Sequence, residues 1–488
     1  MIAEIGRRHG AIILSVAALL LLVPGVSARQ ALDRTKIPPA GPAPALHVPT
    51  WTRSTLSNGA ELIVSERPGL PIVQFGLMFL GGTSQYEPAN RRGLASLTAA
   101  MMNEGTKTRD ADALTNALLL LGSAGTTFGV GSESGSAGFL STTGRFKETL
   151  DVLADKLVNS TFPAEALERL RAQRLVALTQ AKAQPGSIAG RVYPRLLYGA
   201  NHPYGQYVTE ESIKAITRDD IAAFAKTYFQ PGHALICVVG DVKAPAVKTL
   251  VETALAAWPK GGEKPAFQYP PVSPTHPTTI YLVDKPGAAQ STFRIGNPGP
   301  PRSTPDYYAL EVMNAMLGGL FQSRLNANIR EDKGYSYGVS SFFAYGRGPG
   351  MFQAGGDIVS AKTDVALIEF MKELRGITGS RPVTDEEMTA AKNSLVLSLP
   401  EQFGSVGGVN GAITALWTNG LPDDYYQQFS ARVAAVTKAD VVRVAKQYID
   451  LDHLTIVIVG DRATIEAPLK ATKVAPIVAA DIDGNVIK

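Results

Sequence analysis

The residue types that hold metals or drive hydrolysis are few in this chain and poorly spaced for either task. The six histidines are His9, His47, His202, His233, His276 and His453, and no two have the close spacing that lets a pair share a metal from one helix or turn. Cys237 is the single cysteine, which excludes an intrachain disulfide and any zinc site built on several thiolates. Serines recur from Ser132 to Ser136, but no histidine is placed in sequence to serve them as a base. His233 and His453 each stand just before an apolar run and read as structural turn residues. Glu104, just before Gly105, reads as a surface or capping acid.

The elements that must position any site are set first by size and composition. A chain of 488 residues is long enough for two to four domains, and 45% hydrophobic with 18% charged residues is ordinary for a soluble globular protein. The net charge of +4 is spread without long runs of one sign, so nothing points to nucleic acid or to a polybasic membrane patch. Arg7 and Arg8 precede an apolar stretch from Ala11 to Val23, and Val26-Ser27-Ala28 fits a small-residue cleavage site. Residues 1–28 therefore read as a signal peptide, which makes the mature chain periplasmic or otherwise exported. The apolar run is shorter than the roughly 20 residues that span a bilayer, so no stable membrane span is expected after its removal. Residues 29–50, rich in proline and alanine, read as an extended lead-in.

The strongest organisational signal is a repeat. Residues 216–241 (ITRDDIAAFAKTYFQPGHALICVVGD) and 436–461 (VTKADVVRVAKQYIDLDHLTIVIVGD) align without a gap at an offset of 220, with ten of 26 positions identical. In both copies a threonine, Thr217 or Thr437, is placed to cap a helix whose apolar residues recur at helical spacing. A short turn then leads to a β-branched run, Ala234–Val239 or Leu454–Val459, with the character of a buried strand. The chain is a tandem duplication, with a first lobe over 50–258 and a second over 278–488. Between them 259–277 is proline-rich with Gly261-Gly262 and reads as a linker. Each lobe mixes strands (Glu61–Ser65, Ile72–Leu80, Thr279–Val283) with long helices (Ala164–Ala183, Thr384–Leu399), an α+β style.

Several segments, in order, resemble the pitrilysin/insulinase family of zinc peptidases, which includes mitochondrial processing peptidase. They are LSNGAELIV at 56–64, GGTSQYEP at 81–88, GLASLTAAMMNEGT at 93–106, HPYG at 202–205 and LGGLFQSRLNANIREDKGYSY at 317–337. The resemblance covers nearly the whole mature chain and implies two homologous lobes arranged as a clamshell. It also locates an absence. The family's metal helix carries His-x-x-Glu-His, whose histidines share a zinc from one helix face while the glutamate activates the bound water. The matching positions here are Ser96, Ala99 and Ala100, and the family's later acidic ligand falls at Ala177. None of these residue types makes a usable zinc ligand set, so no metal is expected in this chain.

What the resemblance retains lies in the second lobe. An arginine and a tyrosine that complete the family's active site match Arg330 and Tyr337. An arginine offers fixed donors to a substrate carbonyl, and a tyrosine hydroxyl can donate to the oxyanion of a tetrahedral intermediate. Gly334 between them suggests a helix end followed by a strand, bringing both side chains to one edge. Gly318 and Gly319 resemble the glycine-bearing segment that lines the substrate cavity of noncatalytic processing subunits, although a helix kink explains them equally. The implied role is a noncatalytic subunit that pairs with a zinc-bearing homologue and supplies Arg330 and Tyr337 to a shared site for peptides. The competing readings are an inert peptide-binding or scaffold protein of the same fold, and an independent peptidase with an unrecognised metal site.

Overall fold

Two six-stranded sheets with matching strand order carry the structure, a computed structural model that describes residues 46–123, 126–272 and 276–487. The signal segment and most of the lead-in lie outside the described residues.

The first half contributes β1 (Thr52–Thr55), β2 (Glu61–Glu66), β3 (Ile72–Leu80), helix α1 (Leu94–Met101), β4 (Thr127–Val130), β5 (Ser134–Thr142), α2 (Ala164–Ala181), α3 (Pro185–Tyr198), α4 (Arg218–Tyr228) and β6 (Ala234–Gly240). The second half contributes β7 (Thr279–Asp284), β8 (Gln290–Gly299), α5 (Tyr307–Asn314), β9 (Ser336–Ala344), β10 (Gly350–Val359), α6 (Thr363–Arg375), α7 (Val406–Asn419), α8 (Lys438–Tyr448), β11 (Thr455–Gly460) and β12 (Ile477–Ala480). Further helices connect them.

The first sheet runs β1-β2-β6-β3-β5-β4 and the second β12-β7-β11-β8-β10-β9. The repeat strands β6 and β11 sit inside their sheets, each parallel to one neighbour and antiparallel to the other, and every residue of both is buried. That explains their unbroken β-branched sequence, because neither face of such a strand meets water. The sheets differ at one rim. There β1 joins β2 antiparallel, whereas β12, from the far end of the chain, joins β7 parallel.

The local signals act as their chemistry requires. Thr217 and Thr437 cap α4 and α8 by accepting from the amides of Asp220 and Asp440, whose carboxylates accept from the threonine amides in return. Thr384 caps the helix Asp385–Leu397, which ends two residues short of the expected boundary, as α2 does. The segment 56–64 opens with a turn, in which Asn58-Gly59 reverses the chain and Gly59 has φ +99°. The strand proper starts at Glu61.

Residues Ala45–Lys488 pack as one unit because the halves exchange helices. Helix α3, from the first half, lays Ile188, Ala189, Val192, Tyr193 and Leu197 on Tyr281, Val283, Val457 and Val459 of the second sheet. Helix α7, its counterpart at the 220-residue offset, packs on β3 and β6 of the first sheet. There Asn410 donates to the Cys237 carbonyl at 2.8 Å and the Trp417 indole to Glu61 at 3.0 Å. One core cluster accordingly joins Ile63, Leu235 and Val239 to Val409, Ile413 and Phe293. At about 1.5–3 kcal/mol for each fully buried large aliphatic side chain, this exchange is a major part of what holds the lobes together.

Candidate functional site

Helix α1 stands where the metal helix of the family would be, with Ser96, Ala99 and Ala100 at the motif positions. Its first turn is capped by the Glu87 carboxylate, which accepts from the amides of Gly93 (2.9 Å) and Ala95 (2.8 Å) and pairs with Arg92. Burial pushes the Glu87 carboxyl up, against the pull of those amides and of Arg92. Ser96 turns its hydroxyl back to donate to the Gly93 carbonyl at 3.0 Å. Ala99 is buried in the first-lobe core, Ala100 is half-buried, and Ala177 on α2 is exposed. The nearby acid Glu104 is held by Arg169. The donor set for zinc is thus missing in chemistry as well as in spacing. Among the described residues no group of three or more His, Cys, Asp or Glu side chains is placed to hold a metal ion.

The histidines serve structure. His233 is buried and donates from Nε2 to the Tyr228 carbonyl at 2.6 Å, and burial lowers its pKa. His453 faces Asp450 at 2.9 Å. His202 accepts the Tyr204 amide at Nδ1 and stacks on Tyr198.

Arg330 and Tyr337 do come together. After α5 the chain enters a wide π-type turn, Ala315–Gly319, and a second one, Ala327–Asp332, which carries Arg330. The second turn is pinned from below. The Asn328 amide donates to Glu369 at 2.7 Å and to Glu373 at 2.8 Å, and buried Arg324 forms a bidentate pair with Glu387 at 2.6 and 2.7 Å. Gly334, at φ +63°, closes the turn where a side chain would be strained. The chain then enters β9, the rim strand of the second sheet. At its start Tyr337 and Gly338 together face Asp357 of β10, a β-bulge. The Ser336 hydroxyl stitches it by bonding to the carbonyls of Asp357 (2.7 Å) and Gly338 (2.9 Å). The bulge aims Tyr337 outward, 89% exposed. The Arg330 guanidinium lies 4.5 Å from the Phe321 ring centre and 5.2 Å from that of Tyr337, and pairs with Glu331 at 3.0 Å. This is a donor pair presented to solvent, able to hold a carbonyl or an anionic oxygen.

The two glycines divide. Gly318 is buried and abuts β9, where a Cβ would overlap the Ser341 amide and hydroxyl, so close packing requires it. Gly319 is exposed.

Sequence reasoning missed an interlobe cavity of about 650 Å³. Ser96, Arg92 and Tyr204 line it from the first half, and Tyr345, Met351 and Asn419 from the second. Neither Arg330 nor Tyr337 lines it. At its edge Glu133, in the β4–β5 turn, accepts from the Tyr204 hydroxyl, the Tyr269 hydroxyl (2.5 Å) and the amides of Arg347 (2.5 Å) and Gly348 (3.0 Å). Gly346 and Gly348 allow that approach, since a Cβ on the first would meet the carboxylate and on the second the two tyrosines. No local signal in the sequence marks Glu133, because its partners are 71 to 215 residues away.

Comparison with known proteins agrees with this frame. Residues 62–192 match the model of the insulinase family, peptidase family M16, and residues 215–395 match the peptidase M16 inactive domain. The non-peptidase homolog YmxG of Helicobacter pylori is 25% identical over 413 residues, 82% of this chain and 92% of the relative. The uncharacterized zinc protease YmxG of Bacillus subtilis is 25% identical over 354 residues, 71% of this chain and 84% of the relative. The crystal structure of a peptidase M16 inactive domain from Pseudomonas fluorescens superposes with a TM-score of 0.76 at 26% identity, covering 84% of this chain and 98% of that one. The chain belongs to peptidase family M16, the insulinase or pitrilysin family, as a homologue without the family's zinc-binding motif.

Proposed function

We propose that this inactive homologue is the noncatalytic subunit of an exported, heterodimeric zinc endopeptidase, to which it contributes Arg330 and Tyr337. The observation that carries the reading is the state of the two half-sites. The donor pair is built, braced and solvent-facing, while α1 and α2 offer no metal ligands and the cavity beside Ser96 does not include the pair. A zinc-bearing homologous partner would supply the activated water. This chain would position the peptide: Arg330 fixes a substrate carbonyl, and Tyr337 donates to the oxygen that becomes negative as the carbonyl is attacked. Export rests on the signal pattern at residues 1–28.

The test is reconstitution with a zinc-motif homologue, followed by peptide cleavage. Arg330→Ala and Tyr337→Phe should each lower kcat/KM by roughly 100-fold, the usual effect of losing one such donor. Unchanged cleavage by both variants, in a mixture that needs this chain for activity, would sink the shared-site reading in favour of a scaffold.

A further inference from the structure

Helix α3 covers only part of its face of the second sheet. It packs mainly on β11 and β8, against Val457 and Val459 and over Gly296, with Tyr281 and Val283 of β7 beside it and Tyr193 reaching the Phe352 carbonyl of β10. The same face extends past the helix to Arg294 of β8, Gly355 of β10 and Ser340 of β9. Register places Arg294 of β8 beside Val457 on one side and Gly355 on the other, and Gly355 in turn beside Ser340. A groove of about 560 Å³ runs along this surface and ends at Tyr337. Its floor is bare for a packing reason, since a Cβ on Gly355 would overlap the Phe293 carbonyl.

The groove is rich in unused donors. The Arg294 side chain is half-buried, and its one hydrogen bond runs from a terminal nitrogen to the adjacent Phe293 carbonyl at 2.8 Å. Among the described residues no carboxylate lies within ion-pair distance of it. Asp357, the nearest acid along the groove, is exposed and accepts from Thr292 at 2.6 Å. Gln290 and Gln353 also line the groove, and neither side-chain amide bonds to a described protein group. Burial pulls the Arg294 pKa down while Asp357 opposes the shift, and an arginine in such surroundings stays charged. Asp357 offsets the burial of the guanidinium only in part and forms no ion pair with it, and a ligand oxyanion relieves the remaining cost.

We infer that this groove is a subsite for a carboxylate carried by the bound peptide, held by Arg294 in the groove that Tyr337 of the carbonyl-binding pair also lines. The planar guanidinium matches a carboxylate in bidentate fashion. The negative charge of Asp357 in the same groove selects a monoanion over a phosphate dianion. The carboxylate can be an acidic side chain or a peptide C-terminus. The inference rests on the reading of Tyr337 as peptide-facing and adds a preference for acidic peptides.

The experiment uses the full chain and fluorescent peptides in matched sets: a glutamate peptide against its glutamine analogue, and a free C-terminus against its amide. Direct binding to the chain should favour the acid of at least one set by about 10-fold, as expected for a charge-assisted pair. Which set shows the preference identifies the source. Arg294→Gln should collapse that ratio to near one, and Asp357→Asn, which removes the repulsion but keeps an acceptor for Thr292, should raise it about threefold. An absent preference in the native chain, or a ratio unchanged in both variants, overturns the subsite. Arg330→Ala acts on turnover of the reconstituted pair and leaves this ratio in place, so failure of the subsite and failure of the shared-site reading register in different measurements.

Discussion

Tyr193 tests whether the exchanged helices make the two lobes one cooperative body. It sits on α3, in the first half of the sequence, yet it is 1% exposed against the second sheet and donates to the Phe352 carbonyl at 2.9 Å. Gly296 leaves the slot for its hydroxyl. Tyr193→Phe removes only the hydrogen bond, a loss of about 1 kcal/mol. Tyr193→Ala also opens a ring-sized void in a cluster that collapses poorly, because sheet strands form one wall and a helix the other. The expected loss is about 4 kcal/mol, a large part of the ~5–15 kcal/mol that keeps a typical domain folded. The assay is denaturant unfolding together with hydrogen exchange read on peptides from β3 and β8. Since α3 ties the first half to the second sheet and α7 ties the second half to the first, both peptides should lose protection together. Loss of protection in β8 alone, or an alanine cost below about 1 kcal/mol, would refute the coupling.

Three further outcomes follow from the geometry. Lys156 is buried, donates to the Thr126 carbonyl and hydroxyl at 2.6 Å, and has its pKa pulled down by burial to about 8 from 10.5. Between those two pH values the unfolded chain binds the extra proton, so native stability should rise with pH by about 3 kcal/mol relative to Lys156→Met, as read by unfolding at pH 8 and pH 10.5. Gly318→Ala pushes a methyl into the Ser341 backbone and should cost about 1–3 kcal/mol in thermal unfolding while lowering the activity of the reconstituted pair, since β9 carries Tyr337. Glu133→Ala strips the acceptor from two tyrosines and two amides and should cost about 2 kcal/mol, with faster amide exchange at Arg347 and Gly348 as its local signature.

Much of the site was legible because the relevant signals are local. The spacing of Ser96, Ala99 and Ala100 on one helix, and of Arg330, Gly334 and Tyr337 through a turn into a strand, depends only on residues a few positions apart. Capping by Thr217 and Thr437 and the buried character of β6 and β11 are local for the same reason. The bulge that turns Tyr337 outward is different. It depends on the pairing of β9 with β10 and on Ser336 reaching Asp357, so the sequence suggested a common edge for the pair but not how Tyr337 is aimed.

The amino-acid sequence by itself determined the family frame, the duplication and the loss of the zinc ligands, since each of these is a statement about residue identity at fixed spacing. Tertiary structure alone decided which sheet each helix covers. Helices α3 and α7 have apolar faces that would suit either sheet, and only chain connectivity and register assign them across the lobes. It likewise decided that Glu133 meets Tyr204 and Tyr269, and that Arg294 is left facing an open groove, because those neighbours are created by strand pairing between distant segments.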